Sequence, residues 1–124
     1  MDERFQGRPY RHLWAVAGEP YADDPYFTQL VHMDLARGET RRDFSPDLPG
    51  EAVFVPLSED AAEGDGYVLT VVYRTEHHRS DLYVLDAQTL RTVCRLELPH
   101  HVPMGFHGTW VEADAPAPPE SADA

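Results

Sequence analysis

At 124 residues the chain can form one small domain that buries roughly two-thirds of its unfolded surface. It carries 22 acidic and 10 basic residues, the latter all arginine; the net charge of -12 argues against nucleic acid or an anionic membrane surface as a partner, because phosphate contacts need clustered cations. No apolar run approaches the ~20 residues needed to span a bilayer and no signal-peptide apolar region opens the chain, so a cytoplasmic location is expected.

Residues 1–9 read as a polar connection with no helix-capping signal. Tyr10–Ala17 is aromatic-rich and predicts a strand, and Gly18–Pro25, with two prolines and two aspartates, predicts a loop. Phe27–Leu35 has strand composition, Ala36–Glu39 supplies a turn, and Thr40–Phe44 returns as the second strand of a hairpin. Ser45–Gly50 is a loop punctuated by Pro46 and Pro49, followed by a short apolar strand over Glu51–Pro56. The acidic loop Ser58–Gly66 lacks EF-hand spacing, which favours a solvated turn over a calcium site.

Tyr67–Arg74 is the strongest strand; both its faces are apolar, which predicts cover on both sides. A polar turn with His77 and His78 leads to a return strand over Asp81–Asp86. The turn Ala87–Arg91 then leads to a third strand over Thr92–Leu98. Cys94, the one cysteine, lies in an apolar run and is expected to be a buried structural thiol. No helix is expected. Residues 113–124 are Ala, Asp, Glu, Pro and Ser only and predict a disordered tail.

These elements predict an all-β fold of antiparallel meanders. Propeller blades are meanders stacked face to face, so a strand apolar on both faces fits a blade better than a lone sandwich. At roughly 40–50 residues per blade, residues 1–112 hold about two blades, where roughly 4–8 close a propeller.

The sequence converges on Leu98-Pro99-His100-His101-Val102-Pro103-Met104-Gly105-Phe106-His107-Gly108-Thr109-Trp110. Here His107 sits between Gly105 and Gly108, where a backbone with little steric restriction could aim an imidazole into a site. A turn histidine capping local backbone groups is the alternative on these residues alone.

This stretch resembles the C-terminal signature of the carotenoid cleavage oxygenases, the family that includes the retinal pigment epithelium isomerase. Asp2–Arg11, Gly50–Pro56, and Asp65–Leu69 running on to Ser80–Ala87 resemble the same family in the same order. One departure is Ala52, where the family usually has proline.

The resemblance implies a seven-bladed propeller with iron(II) held on its axis by four histidines from different blades. His107 falls on the last of the four. The other three belong to upstream segments, so His12, His32, His77, His78, His100 and His101 receive no ligand role. Met1 falls inside a family motif, which implies the C-terminal portion of a longer enzyme, with a separate chain for the missing N-terminal portion left open. Glu51 matches a family glutamate that orients a ligand histidine, and His107 is its expected partner. A carboxylate that accepts an imidazole Nδ1–H fixes the tautomer and aims Nε2 at a metal; a surface carboxylate at a strand end is the alternative. Phe106 and Trp110 are candidates for an apolar substrate tunnel, with core packing as the other reading.

The implied reaction is cleavage by dioxygen of a conjugated carbon–carbon double bond in a carotenoid, apocarotenoid or stilbenoid. The 124-residue chain alone is expected to be inactive. Peripheral attachment of the full-length form to a membrane is left open. The competing expectation is a non-catalytic β module or gene remnant with no bound iron.

Overall fold

A computed structural model describes residues 1–19 and 26–114. Most of the expected Gly18–Pro25 loop and all but the first residues of the expected tail over 113–124 lie outside the described residues. The strands are β1 (His12–Ala17), β2 (Gln29–Asp34), β3 (Gly38–Asp43), β4 (Leu48–Pro49), β5 (Val53–Pro56), β6 (Gly66–Arg74), β7 (Arg79–Asp86) and β8 (Thr92–Glu97).

All pairings are antiparallel and follow the meander. The first sheet has the order β1-β2-β3. The second has the order β4-β6-β7-β8, with β5 also pairing β6. The fold is therefore all-β, two successive meanders packed face to face like neighbouring propeller blades.

Period-two alternation explains the packing. Val68, Thr70 and Val72 of β6 turn one way and are buried, as are Tyr83 and Leu85 of β7. They meet Trp14, Leu30 and Phe44 from the first sheet to form the core, which Leu90 and Ala87 of the following turn complete. The Trp14 and Phe54 rings stack at 4.6 Å, and the Trp14 Nε1–H donates to the Ala87 carbonyl at 2.6 Å. A large aromatic residue thus fills the seam without leaving its one polar atom unpaired.

Three expectations are corrected. The first concerns residues 1–9, which are not a bare connection. Asp2 caps a 3-10 turn over Glu3–Phe5 by accepting the Arg4 N–H at 3.1 Å. The Arg4 guanidinium also donates to the Glu59 and Ala61 carbonyls at 2.9 Å, tying this turn to the acidic loop. A single turn is too short to show periodicity. The second correction is that β6 packs against a sheet on one side only: Val71, on its outer face, is 36% exposed. Among the described residues no third sheet packs beyond the second. The third is that Cys94 is exposed, as is every residue of β8. β8 is an edge strand, and an apolar sequence does not reveal whether another strand lies beyond it.

Candidate functional site

Beyond β8 the chain doubles back over the outer face of the second sheet. The segment is fastened at both ends. At its start the Val102 N–H donates to Ser80 Oγ at 2.9 Å. The His101 ring packs edge-on against Tyr73 at 5.1 Å and stacks on His78 at 4.9 Å.

At the other end stands Glu51. The backbone before it is pinned to β6: the Gly50 N–H donates to the Val71 carbonyl at 2.8 Å, and Thr70 Oγ1 donates to the Gly50 carbonyl at 3.0 Å. Glu51 Oε2 accepts the Gly108 N–H at 2.6 Å, and Glu51 Oε1 lies 3.3 Å from His107 Nδ1.

The proton assignment follows from the donors. A backbone N–H can only donate, so Oε2 accepts, and ionised Oε1 can only accept as well. His107 Nδ1 must then carry the hydrogen. In the neutral ring this leaves the lone pair on Nε2, and the imidazole side chain is 88% exposed. The arrangement is a single, accessible nitrogen donor with a carboxylate behind it, the orientation that a metal-ligating histidine needs. Among the described residues no group of three or more His, Cys, Asp or Glu side chains is placed to hold a metal.

The pair stands at the rim of an apolar groove of about 280 Å³, lined on the sheet side by Val53, Leu69, Val71 and Leu82. Phe106 and Trp110 border the same groove. Phe106 is 91% exposed, and Trp110 donates through Nε1 to Glu112 at 2.9 Å. Neither belongs to the buried core.

Four of the six histidines left without a ligand role fall into two pairs. His78 and His101 stack on the outer face, with His78 Nδ1 bonded to the Tyr73 hydroxyl at 2.6 Å. His12 and His32 are buried in the seam, their rings joined Nδ1 to Nε2 at 2.9 Å. Sequence reading missed this pair. The available signal was period two: His12 alternates with Trp14, and Trp14 faces His32 across β1 and β2.

Charges around the seam are paired. A hydrogen bond from the Arg11 side chain holds the Asp34 carboxyl well below its ordinary pKa. Two contacts make that pair, at 2.6 and 2.8 Å. Burial, the largest influence on Asp86, pushes its carboxyl up; hydrogen bonds from Thr89 and Gln88 outweigh it and leave the pKa lowered.

The sequence profile of the retinal pigment epithelial membrane protein family matches residues 1–112. The chain belongs to this family. It is 38% identical over 110 residues to the apocarotenoid-15,15'-oxygenase of Synechocystis sp., a match covering 86% of this chain and 22% of that protein. It is 32% identical over 126 residues to lignostilbene-alpha,beta-dioxygenase isozyme III of Sphingomonas paucimobilis, covering 91% of this chain and 26% of the relative. The crystal structure of cobalt-substituted Synechocystis apocarotenoid oxygenase superposes with a TM-score of 0.78 at 37% identity, covering 86% of this chain and 23% of that one. The chain thus spans about a quarter of the length of the family members it matches.

Proposed function

We propose that this chain is the C-terminal part of a non-haem iron(II) oxygenase that cleaves a conjugated carbon–carbon double bond with dioxygen. The balance is simple: the double bond breaks, each oxygen atom ends in one of two carbonyl products, and no external reductant is consumed. The substrate class is an apolar carotenoid, apocarotenoid or stilbenoid, in keeping with the names of the relatives. Iron, when bound, supplies the redox chemistry with dioxygen that amino-acid side chains lack.

The observation that carries this reading is the Glu51–His107–Gly108 constellation. Glu51 accepts from His107 Nδ1 and from the Gly108 amide, and this holds Nε2 free as a metal ligand. The groove beside it offers an apolar surface for a polyene or aryl alkene, with Phe106 and Trp110 as tunnel candidates. Three further imidazoles would come from upstream blades that complete a seven-bladed propeller, in the same polypeptide or in a partner chain. One imidazole retains iron(II) weakly, so the 124-residue chain alone is inactive. A cytoplasmic enzyme is the corresponding location, with peripheral membrane attachment reserved for the full-length form.

The test joins this chain to its upstream coding region and expresses both. The expected product holds about one iron per molecule and transfers label from ¹⁸O₂ into carbonyl products. His107→Ala should remove the iron. Full iron content in that variant, or polyene cleavage by the 124-residue chain alone, would overturn the reading.

A further inference from the structure

His107 is presented by a segment with little contact of its own. Met104 is 55% and Phe106 91% exposed, so the crest of this segment stands away from the sheet. The Gly108–Glu51 bond holds its far end, and its near end needs an anchor too.

That anchor is at Ser80, the second residue of β7, which is 0% exposed. Its carbonyl accepts the Leu98 N–H at 3.1 Å. Its hydroxyl oxygen accepts the Val102 N–H at 2.9 Å and lies 3.5 Å from the Val102 carbonyl. The side chain thereby acts as an extra strand edge for a segment that makes no ladder. Pro103, next in line, has no N–H to offer.

We propose that Ser80 is a positioning residue for His107. This rests on the reading of His107 as a histidine held by Glu51. With Val102 fastened, about five residues separate the anchor from the imidazole, a reach of at most about 18 Å. Without the hydroxyl, the next hydrogen-bonded fastening is Leu98, and only the packing of His101 on Tyr73 and His78 holds the stretch between. The longer tether weakens docking of His107 on Glu51 by at most roughly two- to threefold. Loss of the hydrogen bond weakens it by roughly a further two- to tenfold.

The experiment follows the tautomer of His107 by long-range ¹H–¹⁵N spectra of the ¹⁵N-histidine-labelled 124-residue chain. It is run about two pH units above the ordinary imidazole pKa. Wild type should show hydrogen on Nδ1 and a bare Nε2. Ser80→Ala should move His107 toward the free-imidazole mixture, and Ser80→Thr, which keeps the hydroxyl, should restore the wild-type pattern. Val102→Pro removes the donor from the segment's side and should reproduce Ser80→Ala. This variant lies outside the core, so it decides the matter if Ser80→Ala does not fold.

A folded Ser80→Ala or Val102→Pro chain with the wild-type tautomer would overturn the role of Ser80 and leave the Glu51–His107 pair standing. A wild-type chain whose His107 already shows the free mixture, unchanged by Glu51→Gln, would overturn both. A merely structural role for Ser80 would lower stability and leave the tautomer of the folded fraction unmoved.

Discussion

His12 Nδ1 lies 2.9 Å from His32 Nε2, and the two residues are 4% and 3% exposed. On its far side His32 Nδ1 faces the Gln88 carbonyl at 3.1 Å. A carbonyl only accepts, so His32 carries its hydrogen on Nδ1 and offers Nε2 as acceptor to the His12 Nδ1–H. A proton added to His32 must go on Nε2, where it removes the acceptor that the His12 Nδ1–H uses.

Burial, with His12 adding to it, pushes the His32 pKa below the ordinary imidazole value, against the opposing pull of the Gln88 carbonyl, Asp34 and Asp86. The unfolded chain therefore takes up this proton first as pH falls. The resulting stability is fully present above about pH 6.5 and declines below it until the folded-state pKa is reached. Urea unfolding midpoints should drop between about pH 7 and 5. His32→Gln, which cannot take the proton, should flatten that slope. An equal slope in the variant would mean that the seam pair is not the titrating element.

Gly64 sets the other boundary of this pair. Its φ is +79°, and a Cβ there would stand 2.6 Å from His12 Cδ2. Gly64→Ala combines left-handed strain with overpacking against a buried ring. The expected cost is about 2–4 kcal/mol of stability, read from the urea midpoint. The same substitution at Gly105, where no atom lies within 4 Å of the added Cβ, should cost far less.

The strand sequence was legible wherever alternation and turn chemistry agree. The β2–β3 hairpin and the β6–β7–β8 meander fall within a few residues of their expected limits. Cover was not legible. Leu69 and Val71 look as apolar as Val68 and Val72, but only the latter pair faces a second sheet. The His12–His32 contact depends on the register that sets Trp14 opposite His32, which no single strand encodes. Glu51 and His107 lie 56 residues apart, and composition and spacing carry no information about their proximity. That expectation came from the motif resemblance.

The exposure of Cys94 gives a direct check on the edge of the second sheet. One thiol per chain should react with a disulfide reagent in the native state, at a rate close to that in urea. Protection of more than about tenfold would mean that the edge is covered in solution, by a second copy or by another chain.

Glu51→Gln is the most informative single substitution, because the Gly108 amide dictates which way the new side chain must turn. Gly108 N–H donates across 2.6 Å and requires an oxygen. The glutamine carbonyl must take that position, which leaves its NH₂ facing His107 Nδ1. A donor there needs an acceptor, so His107 must move its hydrogen from Nδ1 to Nε2. The substitution is isosteric and far from the core, so stability should change by less than about 1 kcal/mol. The tautomer should invert, and the nitrogen offered to a metal should lose its lone pair. In the iron-loaded, full-length protein the expected consequence is a roughly 10- to 100-fold loss of metal affinity. Glu51→Asp retains both acceptor oxygens on a shorter stem and should keep the Nδ1–H tautomer in part. Inversion in Glu51→Gln without loss of iron would show that His107 is held by Glu51 but is not a ligand.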